Sequence, residues 1–233
     1  MHYFALLLHP ERTTPPPAEA QAAEMAEYIG FHDRAASAIR AGDALTAAAS
    51  AVRITGGPDA PVITEGPYPE GAEVAGGYYV FEADNLDDAL AIAQDIPAAR
   101  YGAVEVWPMV GWRPPTRKLG NDWLALLLEP PEKACPPGTE EWESGACAHQ
   151  EFGRSAGDHI LTGAPLHEPS TATTVRVRDG RTTLTDGPFI EGAEVANGFY
   201  VLAAADRDEA VKLASLIPAS AVEVRQLSGV SGL

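Results

Sequence analysis

Two stretches of the chain set ionisable side chains at the same spacing. From Thr185 it reads TDGPFIEGAEVANGFYV, which carries Asp186, Glu191 and Glu194; from Thr64 it reads TEGPYPEGAEVAGGYYV, with Glu65, Glu70 and Glu73 in the matching places. Carboxylates three residues apart can share acid–base work when burial moves one pKa away from the other. In an exposed loop both simply ionise, and the glycines and prolines around these pairs read as loop. Asp186 has two readings as well. It is either a pocket carboxylate or a turn residue, because in Asp-Gly-Pro the side chain bonds nearby backbone N–H groups while glycine takes positive φ. Glu191 is a candidate substrate contact. So are the aromatic rings Tyr79, Phe199 and Tyr200 on the strands that follow, for which core packing is the competing role.

Other chemistry is sparse. Cys135 and Cys147 lie in one loop-like region and are expected as free thiols in a reducing compartment. The Cys147–His149 pair has no second pair at the spacing a four-ligand zinc site needs, so no metal is expected. No glycine-rich phosphate loop and no nucleophile elbow is present. An enzyme built from these residues would need no cofactor and would work by proton transfer.

The elements that must position these groups occur twice. Thr64–Ala98 and Thr185–Ala219, related by a shift of 121 (185 − 64), are identical at 19 of 35 positions. YFALLLHP (3–10) likewise matches WLALLLEP (123–130). This is duplication of a whole domain. The expected division is a first unit at 1–110, a linker at 111–121 rich in proline and basic residues, and a second unit at 122–233. Within a unit, the opening apolar run reads as a strand covered on both faces. The alanine-rich stretch 18–41 reads as a helix stopping at Gly42, and its counterpart is a helix over 139–156 stopping at Gly157. Asp179-Gly180 between β-branched runs predicts a hairpin. Asn85 with Asp88, and Asp206 with Glu209, read as N-terminal capping pairs. The pattern predicts an α+β fold: two ferredoxin-like units, each with two helices on one face of a four-stranded, mainly antiparallel sheet. The bare sheet faces would then cover each other.

Composition narrows the partners. The chain of 233 residues has 16 basic and 33 acidic side chains, a net charge of −17. That surface repels phosphate backbones and anionic lipid, which argues against nucleic acid and membrane partners. No apolar run approaches the ~18 residues of a membrane helix, and the N-terminus lacks the basic lead of a signal peptide. A cytoplasmic protein with a small-molecule ligand is expected.

Asp186-Gly187-Pro188-Phe189, Glu191 and Glu194, the NGFY run and the SLIPAS…VEVR ending resemble the YCII-related domain, and more narrowly its DGPF branch. The first half resembles the same branch, with Glu65 and Tyr68 replacing the aspartate and phenylalanine. The resemblance covers nearly the whole chain. It implies a dimeric α/β barrel in which the two halves form a built-in dimer, so the protein would be a monomeric pseudo-dimer or a homodimer. The chain departs from the branch where Thr-Lys usually separates the two glutamates; Gly71-Ala72 and Gly192-Ala193 stand there instead.

The same resemblance implies a histidine–aspartate pair, with the histidine on the first helix and the aspartate past its end. His32 with Asp43, and His149 with Asp158, answer to that pattern. A carboxylate that orients a histidine and stabilises its charged form would raise its pKa above the ordinary value of about 6.5 and leave a general base near neutrality. The alternative is a polar residue at a helix edge and an aspartate after a C-cap. Together these readings point to a lyase or isomerase acting by general acid–base catalysis, with His149 as base and Asp158 or Asp186 orienting it. The competing class is a non-catalytic small-molecule-binding or regulatory protein on the same barrel.

Overall fold

The computed structural model of the protein describes residues 1–10, 14, 16–66, 73–188 and 194–231. Strand β1 (His2–Pro10) shows how one short sequence serves two cores. Side chains alternate across a strand. Phe4, Leu6 and Leu8 therefore enter one apolar cluster, while Tyr3, Ala5 and Leu7 enter another. The near-continuous apolar run has both faces buried.

The first repeat continues with α1 (Ala18–Ala35), β2 (Ile39–Ala44), β3 (Val52–Thr55), β4 (Val62–Glu65), β5 (Glu73–Glu82), α2 (Leu86–Ala93), α3 (Ala98–Tyr101) and β6 (Ala103–Pro108). The second runs β7 (Trp123–Glu129), α4 (Glu140–Ala156), β8 (Ile160–Pro165), β9 (Thr173–Arg178), β10 (Arg181–Asp186), β11 (Val195–Leu202), α5 (Arg207–Ala214) and β12 (Ala221–Gln226). Two antiparallel six-stranded sheets result, in the orders β10-β9-β6-β1-β5-β2 and β4-β3-β12-β7-β11-β8. Each contains a ferredoxin-like four-strand block of one repeat, with the hairpin of the other repeat added at its edge. Val104 pairs with Val175 across β6 and β9, and Val222 with Ile54 across β12 and β3. The local Asp179-Gly180 signal gives the hairpin, and both residues have positive φ (51° and 72°) as a two-residue turn requires. Which sheet receives the hairpin is decided only by the tertiary structure.

The two sheets pack face to face, as the fold class predicts. Phe4 stacks on Phe199 with ring centroids 4.6 Å apart, and Tyr78 flanks both. Helices cover the outer faces, where Phe31 and Phe152 anchor α1 and α4. Helix α4 has the expected bounds: Thr139 accepts the Trp142 N–H at 3.2 Å, and Gly157 closes it. Asn85 and Asp206 cap α2 and α5 by accepting N–H groups of Asp88 and Glu209. One expectation is corrected. Helix α1 ends at Ala35, not near residue 41, because Ile39 and Ala41 pair with β5 as part of a strand. Strand pairing, with Ile39 buried on the helix side and Ala41 between the sheets, outweighs alanine's helix propensity, which is a weak preference.

Candidate functional site: a histidine–tyrosine pair behind each sheet

On β5 and β11 the alternation that sends Tyr78 and Phe199 between the sheets sends Tyr79 and Tyr200 to the helix side. Each of these two tyrosines needs a glycine opposite it. A Cβ on Gly163 would stand 2.6 Å from Cδ1 of Tyr200, and Gly42 is crossed in the same way by Tyr79. Those glycines let each ring lie across the neighbouring strand and reach the first helix. Phe31 and Phe152 meet the rings edge-on, with centroids 5.4 and 5.2 Å away.

Each hydroxyl then meets a histidine. His32 Nε2 lies 2.7 Å from the Tyr79 hydroxyl, and His149 Nδ1 lies 3.0 Å from that of Tyr200. The two histidines are not at equivalent positions. The shift of 121 that relates Phe31 to Phe152 relates Tyr28 to His149 and His32 to Gly153. Positions four apart share a helix face, so each repeat approaches the same hydroxyl from a different turn.

Burial holds the His149 imidazole below its ordinary pKa, with the charge of Glu129 opposing. Burial likewise lowers His32, opposed by Asp33 and then Asp43. The expected upward shift of His149 is therefore corrected: desolvation outweighs the nearby carboxylate, and the folded imidazole favours its neutral form. The Tyr200 phenol is pushed up to about 12 by burial, and Tyr79 is raised too. Both keep their protons at neutral pH.

Glu129 was not expected from sequence. It ends β7 and accepts the Ser220 N–H at 2.8 Å as well as the Ser220 hydroxyl. The signal was present in the repeat comparison, where LLLEP replaces the LLLHP of the first half. The equivalent space in the first repeat holds a hydrogen-bonded chain. Tyr28 and Tyr101 hydroxyls are 2.8 Å apart, and Tyr101 donates to Glu24 at 2.9 Å. Tyr101 belongs to α3, and the second repeat has no such turn. Five residues (98–102) separate Pro97 from Ala103, against two (219–220) between Pro218 and Ala221.

The aspartates lie elsewhere. Asp158 sits exposed in the turn after α4 and lines a surface cleft of about 390 Å³ with Arg117, Asp122 and His159. Its position corresponds to Ser37, whereas the counterpart of Asp43 is Ala164 (164 − 43 = 121). Among the described residues, His149 hydrogen-bonds to neither Asp158 nor Asp186; its partner is Tyr200. Asp43 is buried on the inter-sheet side, opposite Tyr78. Its Oδ1 accepts the N–H groups of Ala44 (2.8 Å) and Val230 (3.2 Å), and its charge reaches His32 without a hydrogen bond. Asp186 ends β10 and is exposed, and the Gly187 N–H that follows it bonds to Ala172 O at 2.8 Å, beside the Asp186–Thr173 pair that ends the hairpin. Phe199 is 1% exposed in the inter-sheet core.

Glu191 and Glu70 lie outside the described residues. Their partners in the repeated motif, Glu194 and Glu73, receive arginines from the hairpin of the other repeat. Arg53 donates to Glu194, and Arg176 Nη2 to Glu73 at 3.4 Å. These ion pairs join the exchanged hairpins to the sheets that receive them.

Among the described residues no helix is long and apolar enough to cross a membrane. No curated protein matches the chain. The sequence model of the YCII-related domain matches it twice, over residues 1–113 and 133–228, one match for each repeat. With both halves matched and each folded as a ferredoxin-like block, the chain belongs to the YCII-related domain family.

Proposed function

We propose that the protein is a cofactor-free lyase or isomerase of small molecules, acting by proton transfer at the His149–Tyr200 pair. The observation that carries this reading is the 3.0 Å contact between His149 Nδ1 and the Tyr200 hydroxyl. With Nδ1–H donating to the phenol oxygen, Nε2 keeps its lone pair and can take a proton from carbon next to a carbonyl. The phenol, still protonated, can donate to the oxygen on which negative charge gathers. His149 then returns the proton at another carbon, or to a leaving group. Glu129 steadies the imidazolium while it exists, in place of the aspartate that the histidine–aspartate pattern implies. The first repeat holds His32, Tyr79 and Asp43, but Tyr28 and Tyr101 fill the space beside them. We assign the working site to the second repeat for that reason. The reading keeps two units, 1–110 and 122–233, in a cytoplasmic protein.

The test is solvent deuterium incorporation next to the carbonyl of small keto acids and lactones, followed by proton NMR. Exchange should be lost in His149→Ala and reduced in Tyr200→Phe. A compound that binds without exchange favours the second reading, a non-catalytic small-molecule-binding protein. One observation supports that alternative. Two surface clefts, of about 400 and 390 Å³, are lined by residues other than His149 and Tyr200.

A further inference from the structure

The larger of those clefts has walls from different repeats. One is the exchanged hairpin of the first repeat, with Val52, Ile63 and Glu65; the other is helix α5 of the second, with Arg207, Val211 and Lys212. Its volume is about 400 Å³, within the general range of small-molecule sites. It stands apart from the His149–Tyr200 pair and shares no residue with it.

The duplication supplies an internal comparison. By the shift of 121, the matching place between β10 and α2 has Leu86 for Arg207, Leu90 for Val211, Ala91 for Lys212 and Leu184 for Ile63. There the hairpin is tied to the helix by a 3.0 Å hydrogen bond from Thr182 to Gln94, and Leu90 is buried. In the cleft, Ser215 stands in the place of Gln94, and Ile63, as exposed as its counterpart Leu184 (52% each), lines the same wall as Glu65. Both cations therefore appear in one of two equivalent places, and beside uncovered aliphatic surface.

The cations are available. Arg207 Nη1 is 3.0 Å from Glu65 Oε1, but the two side chains are 40% and 75% exposed, and such a surface pair is weak enough to exchange partners. Lys212 has no ion-pair partner among the described residues. Charges farther away than about 10 Å are screened in 0.1 M salt, which limits the reach of the chain's net charge of −17. Among the described residues, the carboxylates that line the cleft with the two cations are Glu65 and Asp208.

We propose that this cleft is a binding site for a small amphiphilic anion. A carboxylate would take the place of Glu65 on Arg207 and share Lys212, while a short apolar body covers Val52, Ile63 and Val211. A carboxylate fits a guanidinium with two parallel hydrogen bonds, and covering aliphatic surface adds about 25 cal/mol for each Å².

The full-length protein, labelled with nitrogen-15, can be titrated with hexanoate and with neutral hexanamide while amide resonances are followed. Hexanoate should shift Val211, Lys212 and Ser215 saturably and leave Leu90 and Ala91 in place; hexanamide should shift none of them. Lys212→Ala should weaken hexanoate binding roughly three- to fivefold, the scale of an exposed charge pair. Glu65→Gln should strengthen it, because the competing carboxylate is gone; a merely structural Glu65 would not give that gain. Both positions are exposed, and an otherwise unchanged spectrum shows that each variant is folded. Shifts that fail to saturate, equal shifts from hexanamide, or a Glu65→Gln protein that binds no better each overturn the proposal.

Discussion

His149 on α4 stands where Tyr28 stands on α1, the matching helix of the first repeat, 121 residues earlier. Tyr28 continues a hydrogen-bonded chain to Tyr101 and Glu24, whereas His149 turns to Tyr200 and has the charge of Glu129 nearby. Together with the extra turn that carries Tyr101, this substitution gives the same helical position different partners in the two repeats.

His149 should titrate below the ordinary histidine value, because burial lowers it more than Glu129 raises it. Glu129→Gln removes the opposing charge and should lower the pKa further. Proton NMR of the imidazole checks both directions. The stability consequence follows by linkage: a histidine whose folded pKa is depressed binds fewer protons when folded. Its contribution is complete above the unfolded pKa of about 6.5 and is lost as pH falls from there through the folded pKa. His32 is lowered in the same way. The melting temperature should drop over that window, and less steeply in a His32→Gln, His149→Gln double variant.

Asp43 should behave oppositely. Burial raises its pKa, against the N–H groups of Val230, Ala44, Ser231 and Gly229 that favour the charged form. A carboxyl raised on folding contributes most below its unfolded pKa, and that contribution is lost as pH rises through the folded value. Asp43→Asn should therefore raise the melting temperature at pH 7, with the gain fading in acid. Asp43→Ala should cost about 1–3 kcal/mol, since it leaves buried N–H groups unpaired. Thermal melts across pH distinguish the two variants.

Gly163→Ala should displace the Tyr200 ring. The added Cβ would lie 2.6 Å from both the ring and the Phe199 carbonyl oxygen, and overpacking of this kind costs about 1–3 kcal/mol. A lower melting temperature together with a moved His149 imidazole resonance is the expected result. A stable variant with an unmoved imidazole would mean that this glycine does not position the pair.

A fragment of residues 1–110 should not persist as a monomer. Its β3–β4 hairpin belongs on the sheet of the second repeat, and its inter-sheet face carries Phe4, Leu6, Tyr78 and Val80. Two such fragments can exchange hairpins and cover each other, so dimers or aggregates are expected in analytical ultracentrifugation. A monomer with a cooperative melt would contradict this.

Much of the architecture was carried by short-range pattern. The apolar run of β1, the Asp179-Gly180 turn, the caps Asn85 and Asp206, and the closing Gly157 each depend on a few neighbouring residues, and each appears where the pattern puts it. The repeat itself required two layers that cover one another. Alternation also placed rings at Tyr79 and Tyr200, although it did not say which face of the sheet they would take.

What only the tertiary structure decided depends on contacts far apart in the chain. The hairpins cross to the other repeat because an open sheet edge pairs with any strand that reaches it, and no local signal names the partner. His149 meets Tyr200, 51 residues away, because helix α4 crosses β11 at that turn, while the turn after α4 leaves Asp158 exposed in another cleft. The histidines, tyrosines and carboxylates themselves are legible in the chain. Which of them share a space was set by the register of strands and the angle of helices, quantities that arise only when both repeats are packed.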